Sequence, residues 1–354
     1  MRQQIILGVL VGAVFMALAF LGIPLSEFAA ALTELRLGWL LVFTGLLGVQ
    51  IGLHAFRQQI MLRATAPDMT FGSSLTIVAV GLFSIQTFPA RLGELARPWL
   101  LQRTEGVTFG EGFGMLALER ALDLVALLLA LVFVLLWVDT PSVELVVAGH
   151  TIDLAAWGWS TARVVIPTIA LGVVTLVVTG EALLDRFAPL LLRASGRLEG
   201  LVAFARAFTR AFRTLRSPGR LAAILALTAL IWSEIALMYL VLAHGFGLQS
   251  FLGYPESAGV MTITALGALL PAPPGMAGVQ EAFGRGALAL FGVRGGSLDA
   301  TALGYAVVAH WWQFIVVAAV AIWATSRQGL RISDLVSRAR ADYEAARAKG
   351  QASV

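Results

Sequence analysis

The sequence predicts an all-α polytopic membrane protein, on three observations. Hydrophobic residues make up 58% of the 354 and charged residues only 13%, against roughly 45–50% and 25% in soluble domains. The charges are also absent from long stretches: none lies between Arg2 and Glu27, from Met69 to Ala90, from Ser257 to Gln280 or from Ala300 to Ser326. A bilayer core needs about 20 apolar residues of helix, which a soluble core helix rarely reaches without a charge. Finally, these runs do not alternate apolar and polar residues, so they do not read as barrel strands.

Six segments are long enough for full spans: Ile5–Leu25, Leu37–Phe56, Gly114–Val138, Ala162–Thr179, Leu221–Ala243 and Thr301–Thr325. The first could pass for a signal peptide, but it is long for one and Gly22-Ile23-Pro24 is a poor cleavage site, so it reads as a retained helix. Two further apolar stretches are broken. Phe71–Phe88 runs into Pro89-Ala-Arg-Leu-Gly-Glu94, and Ser257–Leu270 runs into Pro271-Ala-Pro-Pro-Gly275.

Loop charge orders these segments. The net charge of +4 comes from arginine, since Lys349 is the single lysine. Arginines crowd residues 185–220 and the tail after Thr325, whereas Asp139–Trp159 has three acids and no arginine. The positive-inside rule places the first two regions in the cytoplasm with both termini, and the third outside. That count requires residues 71–103 to begin and end inside and residues 257–291 to begin and end outside. Both are therefore expected to be re-entrant hairpins, with the halves forming an inverted-topology repeat; eight ordinary spans are the alternative. The expected organisation is a first repeat over 1–140 and an outer loop with the next span over 141–180. A basic linker follows over 181–220, then the rest of the second repeat over 221–325 and a basic tail over 326–354. Within the linker, Leu201, Ala205, Phe208, Phe212 and Leu215 recur at helical spacing with Arg206, Arg210 and Arg213 directed elsewhere, as in an interfacial amphipathic helix. Basic loops beside apolar spans point to anionic lipid rather than nucleic acid.

Ionisable groups inside apolar segments are costly and so mark candidate sites. Arg91, Glu94 and Arg97 fall three apart after Pro89, on one helical face. Two arginines there suit a phosphate, with Glu94 orienting one of them; the alternative is an ion pair near the interface. Glu119 and Asp123 lie one turn apart, so a cation, Arg120 or an arginine from the first hairpin, is expected between them; a structural clamp of this helix to the hairpin is the alternative. Pro89 and Gly93, and Pro271, Pro273, Pro274 and Gly275, break the two hairpins. Unwound backbone at membrane depth must be buried in protein or line a cavity. Glu281 follows on the returning arm, four residues before Arg285, as a cation or proton site or one half of a salt bridge. Glu234 has no partner in its own segment, so it either finds one across the bundle or is protonated. His54, His244 and His310 are scattered singly, without metal spacing. Cysteine is absent, which removes disulfides and thiolate metal sites. Gly110-Glu-Gly-Phe-Gly114 opens a span and follows no strand, so it is not a nucleotide loop. No cofactor and no metal are expected.

Three motifs in order, Phe88-Pro-Ala-Arg-Leu-Gly-Glu-Leu-Ala-Arg97, Leu118-Glu-Arg-Ala-Leu-Asp123 and Leu270-Pro-Ala-Pro-Pro-Gly-Met-Ala-Gly-Val-Gln-Glu281, resemble the lysylphosphatidylglycerol synthase transmembrane-region family. The resemblance runs to about Thr325 and implies a prokaryotic, flippase-like integral membrane protein of the bacterial inner or archaeal plasma membrane. It carries the family's charged positions onto Arg91, Glu94, Arg97, Glu119, Arg120, Asp123 and Glu281. Met276-Ala277 stands where the family more often has a glycine pair. Only Ser326 to Val354 follow, too few for the synthases' aminoacyltransferase domain, so that activity is not carried over.

The expected function is translocation of an anionic phospholipid or polyprenyl-linked lipid, without covalent catalysis. Arg91, Arg97 and Arg120 would bind the headgroup, and Glu94, Glu119, Asp123 or Glu281 would couple a proton or cation or balance charge. The alternatives are an intramembrane transferase, with Glu119 or Asp123 as base, and an accessory subunit of a lipid-modifying system. The topology is testable directly. Single cysteines at Arg103 and Val354 should both resist an impermeant thiol reagent applied from outside, whereas labelling at Arg103 alone would refute the first hairpin.

Overall fold

The computed structural model describes residues 2–88, 93–138, 144–147, 150–194, 199–268 and 274–328. Twelve helices account for most of them: α1 (Arg2–Phe20), α2 (Leu25–Thr33), α3 (Leu37–Met61), α4 (Phe71–Thr87), α5 (Ala96–Thr104), α6 (Phe109–Trp137), α7 (Leu154–Ala194), α8 (Glu199–Ala211), α9 (Pro218–Gly245), α10 (Tyr254–Gly267), α11 (Val279–Leu290) and α12 (Ser297–Arg327). One short antiparallel pair, β1 (Glu144–Val147) with β2 (His150–Asp153), sits in the acidic connection before α7 and aligns Glu144 with Asp153. The chain is thus a polytopic α-helical membrane protein.

Five helices are long and apolar enough to cross a bilayer, namely α3, α6, α7, α9 and α12; α1 and α2 make a sixth only as a pair bent by 77°. The expected straight span over Ile5–Leu25 is corrected here. Gly22 takes a positive φ of 75° and Pro24 precedes α2, so the helix stops at Phe20 and turns. The second expected span also runs further, since α3 continues to Met61 rather than stopping at Phe56. On the outer faces Leu10, Val14 and Leu18 of α1 and Val164, Leu171, Val174 and Val178 of α7 are exposed. Such apolar stripes suit hydrocarbon, where helices satisfy their own backbone polar groups.

The arms α4, α5, α10 and α11 are 17, 9, 14 and 12 residues long, against the about 20 that a full crossing typically takes. They fold back as two antiparallel helical hairpins. A Cβ at Gly93 would fall 2.1 Å from the Ser84 carbonyl, and one at Gly81 would fall 2.2 Å from Arg97 Cγ. In the second hairpin Gly267 receives the Phe283 ring and Gly259 the Phe291 ring, again pairing early with late residues. Only glycine leaves room for arms this close.

The hairpin tips meet. Gly275, at φ 71°, packs where a Cβ would lie 3.4 Å from the Gln86 carbonyl, and Gly278, at φ 84°, abuts the Gly12 carbonyl of α1. The unwound stretch from Pro274 to Gly278 is therefore covered by α1 and α4, with Gly275 and Met276 buried. Pro89, Pro271 and Pro273 lie outside the described residues. At the centre α3 packs along α9, and apolar side chains close around them: Ile51, Ala55, Leu101, Leu118 and Ile224 in one cluster, Phe43, Leu47, Leu242, Val260 and Leu288 in another.

The basic linker forms α8, clamped to α6 and α7. A Cβ at Gly114 would lie 2.5 Å from the Phe208 carbonyl oxygen, and one at Gly110 2.7 Å from Ala207 Cβ. The glycine-rich segment is thus a helix-packing surface, opened by a capping box between Thr108 and Glu111. Arg210 pairs with Glu111 at 2.8 Å, Arg206 with Asp185 at 3.2 Å, and Arg213 with Glu181. Phe212 and Leu215 are buried as the spacing required, but Leu201 is exposed.

Gly114→Leu should push α8 off α6, costing about 1–3 kcal/mol as an overpacked contact. Native-state trypsin cleavage after Arg206 and Arg210 should accelerate. Gly172→Leu, where no atom lies within 4 Å of the new Cβ, should leave both stability and cleavage unchanged.

Candidate functional site

Polar residues on α3 recur at three- and four-residue intervals: Gln50, His54, Arg57 and Gln58 are all buried. Directed by that periodicity, Arg57 enters the bundle, where it is 0% exposed. Arg97 comes from the first turn of α5 and is 1% exposed, its stem lying against Gly81. Glu119, Arg120 and Asp123 project from one turn of α6, with Glu119 0% exposed.

These groups meet in one network. Arg97 donates to both oxygens of Glu119, Nη1 to Oε1 at 2.7 Å and Nη2 to Oε2 at 3.0 Å, the two-pronged geometry in which guanidinium and carboxylate fit best. Arg120 Nη2 also donates to Glu119 Oε1 at 2.7 Å, and Arg57 Nη2 stands 3.4 Å from it. Arg57 Nη1 donates to Asp123 Oδ1 at 2.7 Å and to Thr228 of α9 at 3.0 Å. Asp123 is reached as well by Arg120 Nη2 at 3.4 Å and by Trp232 Nε1 at 3.3 Å. Behind Arg97, Gln58 Oε1 accepts from Nη2 at 2.7 Å while its amide donates to Ser74 at 3.0 Å.

Three guanidiniums on three helices thus surround one carboxylate, two of them, Arg57 and Arg120, share a second, and Glu94 lies within electrostatic range of Arg120. Desolvating each ion costs several kcal/mol, and only this mutual pairing offsets it. Two donors are left over, however: Nε of Arg57 and Nε of Arg120 are buried without an acceptor. Arg120 is also the open member, its side chain 35% exposed.

Arg97 turns to Glu119 and Gln58. Among the described residues α5 opens at Ala96, after a 3-10 turn at Gly93–Leu95; the expected opening at Pro89 lies outside them. Arg91 lies outside the described residues. Glu119 and Asp123 do share cations, as their spacing required, but Arg57 acts beside Arg120. Arg57 was missed because Leu37–Phe56 appeared to end the span one residue earlier. Its spacing from His54 and Met61 on one face was the available signal.

Glu281 stands apart from this network. Its Oε1 lies 2.7 Å from His310 Nδ1, and its Oε2 accepts from the Gly278 N–H at 2.7 Å, so it caps α11 and pairs with α12 inside the protein. Arg285 does not join it. Arg285 Nη1 instead donates to the carbonyls of Ala19, at 2.7 Å, and Leu21, at 3.1 Å, where a cation complements the end of α1. His310, one of the scattered histidines, is therefore part of a buried pair; His244 stacks on Trp39 with ring centres 5.0 Å apart.

The family model described as "Lysylphosphatidylglycerol synthase TM region" matches residues 5–321. No curated protein matches the sequence.

Arg97→Ala should destabilise the protein by about 3–5 kcal/mol, because Glu119 loses its two-pronged partner in a buried site. Arg97→Ala combined with Glu119→Gln should cost less than the sum of the two single losses, Arg57 and Arg120 keeping Asp123 as their partner. Thermal unfolding in detergent, followed by size-exclusion chromatography, reads the cycle; additive losses would show that the pair is not coupled.

Proposed function

The chain belongs to the lysylphosphatidylglycerol synthase transmembrane-region family, and on that premise we propose that it carries an anionic lipid between the leaflets of a prokaryotic membrane. The observation that carries this reading is the arginine cradle: Arg57, Arg97 and Arg120 converge on Glu119 with two N–H donors unfilled. A carboxylate and a phosphate are both oxyanions that guanidinium forks grip in the same way. In this reading Glu119 and Asp123 hold the arginines together when no lipid is present, and the headgroup phosphate takes over part of Glu119's contacts as it passes. Without cations at that depth a phosphate would face a desolvation cost of several kcal/mol. The acyl or prenyl tails need no site, because the bilayer solvates them. Arg91, which lies outside the described residues, would add a fourth cation in this reading.

The architecture supports this reading. With α1–α6 set against α7–α12, packing pairs correspond: α3 on α4 with α9 on α10, α5 on α6 with α11 on α12, α4 on α12 with α10 on α6, and α2 on α12 with α8 on α6. Such correspondence suits two inverted repeats whose hairpins re-enter from opposite faces. The hairpin tips that meet at Gly275 and Gln86 would then separate the two sides, and Glu281 with His310 would hold the second tip. Loop charge favours a cytoplasmic position for both termini and for the linker carrying α8.

In proteoliposomes, fluorescent phosphatidylglycerol or polyprenyl phosphate should change leaflets faster than in protein-free vesicles, as read by an impermeant quencher. Arg120→Gln, at the open edge, should slow that exchange by at least about tenfold, the loss of one charge-assisted hydrogen bond, in a variant that still elutes as a folded species although its unfolding temperature falls with the loss of a Glu119 partner. If no acidic lipid exchanges and the purified protein alters one covalently, the transferase reading replaces this one.

A further inference from the structure

The arginine cluster leaves one buried carboxylate unused. Glu234 sits on the face of α9 that also buries Ile224, Thr228, Ile231, Met238 and Val241, the stripe turned towards α3. The two helices run antiparallel. Arg57 bonds to Thr228 near one end, while the Arg36 N–H donates to the Gly245 carbonyl at 3.0 Å at the other. Glu234 is 7% exposed, and neither Oε1 nor Oε2 has a hydrogen-bond partner. Glu119, Asp123, Glu111 and Glu281, the other buried carboxylates among the described residues, all have partners.

The titratable and charged groups around α9 are engaged elsewhere. On α3, Arg57 holds Asp123 and His54 lies 3.4 Å from Arg57. On α6, Arg120 pairs with Glu119 and Asp123, which Arg97 and Arg57 also hold. On α10, the Tyr254 hydroxyl donates to the Ser233 carbonyl, and Glu256 accepts from the Gly253 N–H. On α12, the Tyr305 hydroxyl donates to the Tyr239 carbonyl and His310 pairs with Glu281. On α9 itself, His244 lies 2.9 Å from the Leu240 carbonyl, and Tyr239 bonds to Thr264. In the 3-10 turn that precedes α9, Arg213 holds Glu181, and Arg216 donates to the Val177 carbonyl. An ionised carboxylate with no partner costs several times more than a protonated one in such surroundings. A metal ion would need about six oxygen ligands, and Glu234 has no second ligand at hand. The occupant that fits is a proton.

We propose that Glu234 is a proton-binding site coupled to anion occupancy of the Arg57–Arg97–Arg120 cradle, so that proton and anionic headgroup bind as a pair. The inference rests on the cradle being the headgroup site. Six residues of helix separate Glu234 from Thr228, about 9 Å along the axis. Two charges at that distance influence each other by roughly tenfold in affinity at the effective dielectric of a protein interior. The sign follows from charge alone. An ionised Glu234 repels an arriving phosphate and a protonated one does not, and by reciprocity a bound phosphate favours the proton. Anion binding should therefore weaken as pH rises through the titration of Glu234. A proton gradient should drive the lipid in the direction in which protons flow.

Purified full-length protein in detergent tests this with dihexanoyl phosphatidylglycerol as the probe. Infrared difference spectra should show a protonated carboxyl band at neutral pH that Glu234→Gln abolishes; its absence from the wild type overturns the proton site whatever the transport result. Adding the probe in weak buffer should draw protons from solution in the wild type and none in Glu234→Gln, whose binding should no longer change with pH. Glutamine matches the protonated carboxyl in shape, so the variant should fold. Binding without proton uptake would overturn the coupling while leaving the headgroup site standing. A carboxyl band with no probe binding would instead overturn the headgroup reading and the coupling together.

Discussion

Glu119 is the residue on which the interior depends. An isolated carboxylate in the bundle would be untenable, and so would any one of the three arginines that face it. Together they are tolerated, and the requirement that all four arrive together fixes where α3, α5 and α6 sit relative to one another. Asp123 extends the constraint to α9 through Arg57, Thr228 and Trp232, and Gln58 extends it to α4 through Ser74. Apolar packing in hydrocarbon supplies little preference for one helix arrangement over another, because lipid tails are as apolar as leucine. Buried ion pairing and close contact between small residues supply it instead.

The glycines do the second part of that task. Gly81 makes space for the Arg97 stem, Gly93 lets the returning chain touch α4, and Gly110 and Gly114 let α8 lie on α6. In each case the close approach places a charged group: Arg97 opposite Glu119, and Arg210 opposite Glu111. The same logic holds at the second tip, where left-handed Gly275 and Gly278 turn the chain and put the Glu281 carboxylate on the first turn of α11, within reach of His310. The polar network and the tight turns are thus one design, since neither the short arms nor the buried charges would be stable alone.

Under the proposed function, a cradle whose cations are held by internal carboxylates would have a merit. Three bare arginines would bind a passing phosphate too well to release it, or would not stay inside the membrane at all. Competition from Glu119 and Asp123 would lower the net affinity, and Arg120, with its side chain partly exposed, would give an incoming headgroup a first contact.

The sequence by itself determined the class of protein, five of the six expected spans as helices, the two broken segments and the presence of Glu119, Arg120 and Asp123 on one turn of helix. These are local properties: hydropathy and periodicity read off neighbouring residues, and proline and glycine mark where the pattern stops. Tertiary structure decided the partners. Arg57 and Asp123 are 66 residues apart and Arg57 and Thr228 are 171 apart, so no spacing rule connects them. The bend after Phe20, the extension of α3 that buries Arg57, the pairing of Arg97 with Glu119, the capping of α1 by Arg285 and the pairing of Glu281 with His310 likewise became visible only in three dimensions. The physical reason is the same each time. A charge in hydrocarbon takes whichever opposite charge or free carbonyl the packing brings within about 3 Å, and hydropathy along the chain records that a charge is buried without recording what answers it.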